Sequence, residues 1–100
     1  SVSSENIQIV REGMRLAVTG EGISHASSVI LNSLPVKVAA KTGTAETSIL
    51  KHYHNWITVF APYDNPQIVL TILLENAPTQ AATLIPAKNI LEWYFTNDNK

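Results

Sequence analysis

The run Val38-Ala39-Ala40-Lys41-Thr42-Gly43-Thr44-Ala45-Glu46 puts a cation, a hydroxyl and a glycine in succession at the end of an apolar, strand-like stretch. Each residue type has a use in acyl transfer. A fixed charge at Lys41 favours an anionic substrate and tunes a neighbouring hydroxyl. The hydroxyl of Thr42 suits a substrate carboxylate. Gly43 removes a Cβ that would hold another element away from the strand. Backbone N–H groups on the same edge can face a developing oxyanion, a large term in acyl transfer. Three residues alone are a weak signal, because Lys-Thr-Gly can end any exposed strand. The surrounding elements decide.

Ser3 and Ser4 offer N-caps for a helix running to about Thr19. Ile7, Val10, Met14 and Ala17 fall on one face at helical spacing and read as its core side. Gly13 weakens that helix by roughly 1 kcal/mol relative to Ala, and an internal glycine suggests close packing. Gly20 and Gly22 end it, and residues 24–33 suit a second short helix stopped by Pro35. Strands are expected over residues 36–44, 56–61 and 68–75. The turn Pro62-Tyr63-Asp64-Asn65-Pro66 makes the last two a hairpin.

The third strand, Ile68-Val69-Leu70-Thr71-Ile72-Leu73-Leu74, has no polar face. It should be covered on both sides, central in a sheet with helices on each face. A final helix is expected over residues 80–95, with Pro86 either in its first turn or kinking it. Trp56, Phe60, Trp93 and Tyr94 read as core aromatics. The polar tail Asn97-Asp98-Asn99-Lys100 should fray.

Composition narrows the function classes. One hundred residues with 45% hydrophobic side chains allow one small domain or a piece of a larger one. The net charge of -1 is spread without the basic stripe of a nucleic-acid binder. There is no cysteine, which excludes disulfides and thiolate chemistry. The first residues lack the basic and apolar regions of a signal peptide, and no apolar run reaches the length of a membrane span.

Taken in order, these features resemble the C-terminal end of class B penicillin-binding proteins, the peptidoglycan D,D-transpeptidases. Val10-Arg11-Glu12-Gly13-Met14-Arg15 resembles the helix before their active-site strand, and Thr19-Gly20-Glu21-Gly22 the turn after it. Leu34-Pro35 through Thr44-Ala45-Glu46 resembles the strand bearing Lys-Thr-Gly. Trp56 to Phe60, with Ala61-Pro62-Tyr63-Asp64-Asn65-Pro66, resembles the next strand and its turn. Ala81-Ala82 to Pro86, with Ile90, resembles the terminal helix. The likeness spans roughly residues 7–95 and is far more specific than the triplet alone.

The resemblance implies an α+β fold: a three-stranded antiparallel sheet with flanking helices, a portion of the penicillin-binding protein/serine β-lactamase-like transpeptidase fold. Residues 1–100 would be an incomplete, C-terminal part of that domain, contributing to a five-stranded sheet. It implies that Lys41 acts on the serine of a Ser-x-Asn motif, that Thr42 and Thr44 bind the substrate's terminal carboxylate, and that the Thr44 N–H donates to the oxyanion. Gly43 provides clearance. Partners would be a peptidoglycan stem peptide, β-lactams and the remainder of the domain, with no cofactor. The implied location is the bacterial cell envelope, at the outer face of the cytoplasmic membrane. Family members often carry Gly where Ala40 stands, a departure that could shift strand packing.

Two look-alike motifs are set aside. Ser48-Ile49-Leu50-Lys51 spells the nucleophile motif Ser-x-x-Lys, but it follows Lys41 and falls in a loop between strands. Ser4-Glu5-Asn6 spells Ser-x-Asn, but at a helix start where such residues cap. His52 and His54 form a loop pair without the further ligands a metal site needs. The chain is therefore expected to supply the Lys-Thr-Gly wall of a site without its nucleophile. Left alone it should be inactive, exposing a strand edge and helix faces that favour self-association. Two other readings remain: a non-catalytic module that kept the scaffold, and part of a β-lactam sensor or β-lactamase. The turn at residues 61–66 and the extension Thr44-Ala45-Glu46 favour the transpeptidase.

Overall fold

A computed structural model describes residues 2–97. The order of elements is α1 (Ser4–Thr19), a 3-10 turn (Val29–Ser33), β1 (Ala39–Glu46), β2 (Tyr53–Ala61), β3 (Ile68–Ala77) and α2 (Leu84–Thr96). The strands form one antiparallel sheet in the order β1-β2-β3. The expected helix-flanked, three-stranded sheet is present. Residues 98–100 of the expected fraying tail lie outside the described residues.

Ser3 caps α1 by accepting the Asn6 N–H at 3.1 Å. Gly20 closes the helix in the left-handed conformation (φ 74°), its N–H donating to the Leu16 carbonyl. The expected second helix is shorter, because His25 adopts a positive φ of 63° and only residues 29–33 wind, as 3-10. β1 starts three residues later than expected. Ahead of it the Lys37 carbonyl accepts the Tyr63 N–H at 2.8 Å, and the Val38 carbonyl accepts from Arg15 at 2.8 Å. β2 begins three residues early, at Tyr53. The 62–67 turn joins β2 to β3 as the hairpin the sequence predicts.

α2 begins four residues late. Ala81 sits at φ 59°, where no helix can pass, and Leu84 opens the first regular turn. Pro86 falls in that first turn, where its missing N–H costs nothing.

Strand alternation sorts the sheet into two faces. Asn55, Ile57, Val59 and Ala61 of β2 are buried. They share their face with Ala40, Thr42 and Thr44 of β1 and with Ile68, Leu70 and Ile72 of β3. Ala87, Leu91 and Phe95, one helical turn apart on α2, close over this face and form the core with Val18, Leu31, Leu34 and Val38. On the sheet and on α1, expectations about burial fail. β3 is an edge of the described sheet with only one face packed, and Val69 (70% exposed) and Leu73 (57%) stand open on the other. On α1, Ile7 and Val10 are exposed, because the helix meets the core only through its second half, at Val18. A Cβ at Gly13 would meet nothing within 4 Å beyond its own helix backbone, so close packing does not explain the glycine.

Candidate functional site

β1 is the other edge strand, and the phase of its backbone follows from one bond. The Thr47 N–H donates to the His52 carbonyl at 3.0 Å, one step beyond the Glu46–Tyr53 pair. In an antiparallel pair, hydrogen-bonded and non-hydrogen-bonded positions alternate. Carried back along the register, Gly43 and Lys41 face β2 through their backbone groups, whereas Thr44, Thr42 and Ala40 turn theirs outward. The Lys41 Nζ meets that outer edge by donating to the Thr42 carbonyl at 2.7 Å. The Thr44 N–H lies on the same edge, two residues on. Nearer the start of the strand, Arg15 of α1 occupies the Val38 carbonyl, so α1 blocks one end of the edge and leaves Lys41 to Thr44 open.

Side chains alternate about this edge. Lys41 and Gly43 lie on the face away from α2; Thr42 and Thr44 lie on the packed face. The edge is thus bracketed by an ammonium on one side and two hydroxyls on the other, with outward backbone N–H groups between. This is a set of cation and donors suited to an anionic group. The clearance assigned to Gly43 has a visible occupant. A Cβ there would collide with the indole of Trp56, its partner across β2. Trp56, expected in the core, is 40% exposed and roofs the glycine instead.

Thr44 is tied to Asn55, which no sequence motif marks. Asn55 is 1% exposed, and its Oδ1 accepts the Ala81 N–H at 3.0 Å and the Thr44 hydroxyl at 3.4 Å, while its Nδ2 donates to the Thr79 carbonyl at 2.8 Å. A signal was available. Asn55 has the same strand parity as Ile57, Val59 and Ala61, and a polar residue at a core parity must find partners.

The set-aside motifs stay apart from this edge. Ser48 and Lys51 lie in the β1–β2 loop, with Lys51 at φ 60° and no helix beginning at Ser48. Ser4 is the first residue of α1, beside its cap. His52 lies by the Leu50 carbonyl and His54 by the Asn76 N–H. No group of three or more metal-ligating side chains occurs among the described residues.

On the face of Lys41 and Trp56, Arg11 reaches from α1 to donate to the Tyr63 carbonyl at 2.7 Å. Its guanidinium lies over the Phe60 and Tyr63 rings at 5.4 and 5.3 Å. Arg11, Phe60, Pro66 and Val69 line a shallow groove of about 250 Å³. No helix among the described residues is long and apolar enough to cross a membrane.

Comparison with known proteins decides the family. The model of the penicillin-binding protein transpeptidase domain matches residues 1–93. The chain belongs to this transpeptidase family. Its relatives include the peptidoglycan D,D-transpeptidase MrdA of Haemophilus influenzae, 37% identical in an alignment of 74 residues, with a coverage of 59% of this chain and 11% of that protein. MrdA of Salmonella typhimurium is 30% identical over 98 residues, 83% of this chain and 15% of that protein.

Among solved structures, the complex of penicillin-binding protein PBP2 with MreC from Helicobacter pylori superposes with a TM-score of 0.75 at 22% identity, over 95% of this chain and 18% of that one. Penicillin-binding protein 2B from Streptococcus pneumoniae gives 0.75 at 23% identity, over 98% and 17%. These likenesses show the penicillin-binding transpeptidase fold. The chain spans about one-ninth to one-seventh of the length of the MrdA proteins it matches.

Proposed function

We propose that this chain is the C-terminal part of a penicillin-binding D,D-transpeptidase that crosslinks peptidoglycan stem peptides through a serine acyl-enzyme. The observation that carries the reading is the open edge of β1. Lys41, the Thr42 and Thr44 hydroxyls and the outward Thr44 N–H converge on one stretch of backbone left uncovered between Arg15 and the β1–β2 loop.

In the proposed reaction a serine Oγ, from residues outside these hundred, attacks the carbonyl carbon of the D-Ala-D-Ala bond. The oxyanion forms beside the Thr44 N–H, which stabilises it as charge develops. Terminal D-Ala leaves as the amine, taking a proton, and an ester remains. An amine from a second stem peptide attacks that ester, forming the crosslink and returning the serine. Lys41 holds positive charge near the serine hydroxyls and the anionic substrate. The Thr42 and Thr44 hydroxyls receive the terminal carboxylate. A β-lactam would stop at the ester.

The rest of the domain is the proposed first partner of this chain. It would cover Val69, Leu73 and Trp56 on the open face and Ile7 and Val10 on α1, all exposed here. The proposed location is the cell envelope, where peptidoglycan lies. The test is intact mass spectrometry of the full-length protein and of this 10.9 kDa chain after excess benzylpenicillin. The full-length protein should gain the mass of one β-lactam and the chain none. An adduct on the chain alone would place a nucleophile within it and overturn the division of labour. An unlabelled full-length protein would leave only a non-catalytic module.

A further inference from the structure

Asn55, buried in the sheet, joins Thr44, at the proposed oxyanion position, to the loop that leads into α2. We infer that Asn55 is a positioning residue for Thr44, an inference that rests on the transpeptidase reading of this edge.

Two backbone partners fix the orientation of the Asn55 amide. Nδ2 donates to the Thr79 carbonyl at 2.8 Å, and Oδ1 accepts the Ala81 N–H at 3.0 Å. Turning the amide over would set oxygen against oxygen and N–H against N–H, so both backbone groups fix it the same way. Oδ1 therefore faces the Thr44 hydroxyl, which must be the donor in their 3.4 Å contact. That contact is long, and Thr44 can leave it for a substrate carboxylate while Asn55 keeps the Ala81 N–H. With Asn55 in place, the hydroxyl of the exposed Thr44 has a fixed protein acceptor beside it.

Register supports the pairing. Thr44 and Asn55 are direct cross-strand partners at a non-hydrogen-bonded position, where facing side chains come closest. Asn55 is 1% exposed, so water does not compete for its Oδ1. The loop end is held by the shorter bonds. Ala81 takes a left-handed φ of 59° with its N–H aimed at Asn55, and Thr83, 1% exposed, follows at the start of α2. Asn55 thus references the Thr44 position, and the backbone N–H it carries, to the core-packed helix rather than to the free edge alone.

The test is a double-mutant cycle on β-lactam acylation in the full-length protein, with Asn55→Ala, Thr44→Val and their combination. The second-order acylation constant with benzylpenicillin is read alongside the thermal midpoint. Asn55→Ala is expected to slow acylation about tenfold, the scale of one hydrogen-bonding contact. In the Thr44→Val background it should slow it no further, because Asn55 acts through Thr44. A purely structural Asn55 would lower the thermal midpoint and leave acylation of the folded protein unchanged, which overturns the inference. So would independent, multiplying effects of the two substitutions. If Asn55→Ala does not fold, Asn55→Thr, which suits a strand yet is too short to span to Thr79, carries the same cycle. A wild-type protein that benzylpenicillin does not label removes the transpeptidase reading and this inference together, an outcome distinct from labelling that ignores Asn55.

Discussion

The indole of Trp56 occupies the space that a side chain at Gly43 would need. The two residues are register partners on adjacent strands, on the face that also bears Lys41. An aromatic ring laid over a cross-strand glycine shields the exposed backbone and pins the pairing register. The glycine of the triplet is thus required here by a contact within this chain.

Gly43→Ala should therefore cost about 1–3 kcal/mol, the usual range for overpacking a filled site. The urea midpoint of the chain, followed by circular dichroism, measures it. In a Trp56→Ala background the same substitution should cost less than about 0.5 kcal/mol, since the obstacle is gone. Equal costs in both backgrounds would show that the indole is not what excludes a side chain.

Two other glycines separate conformation from packing. Gly20 needs its positive φ, and a Cβ there would also meet Val29 Cγ2 at 3.3 Å. Gly13 lies within α1 with open space around it. Gly20→Ala should lower the stability of the chain by about 1 kcal/mol or more. Gly13→Ala should raise it by roughly 0.5–1 kcal/mol. Thermal denaturation of the two variants should thus move in opposite directions from the wild type.

The uncovered apolar surface has a consequence for the isolated chain. Val69, Leu73 and Trp56 lie on one face of the sheet beside the free β3 edge. Such a surface drives association. Sedimentation should find the isolated chain self-associated, and Val69→Lys with Leu73→Lys should shift it toward monomer. A wild-type chain that sediments as a monomer at high concentration would contradict the reading of this face.

Much of the fold was legible because it rests on local chemistry. Ser3 and Gly20 bound α1, and the proline- and asparagine-rich turn forces the β2–β3 hairpin. The motif strand carries its apolar lead-in, Val38 to Ala40, into the core. What was not legible depends on partners distant in sequence. The composition of β3 encodes two covers, and among the described residues α2 provides one. Trp56 and Trp93 have the size of core residues, yet are 40% and 58% exposed. The late start of α2 turns on Ala81 at positive φ, a conformation its side chain gives no reason to expect. At the site, residue types announced Lys41 to Thr44. The roof at Trp56 and the anchor at Asn55 became visible only with the strand register.

In the proposed function the open β1 edge is one wall of an acyl-transfer site, with Lys41 its working charge. The decisive quantity is the second-order rate constant for benzylpenicillin acylation of the full-length protein, wild type against Lys41→Ala. Lys41→Ala should lower it about 100-fold or more, the scale of losing a group that stabilises charge in the transition state, with the thermal midpoint unchanged because Lys41 is solvent-exposed. An unchanged rate constant in a folded Lys41→Ala protein would contradict that role of Lys41.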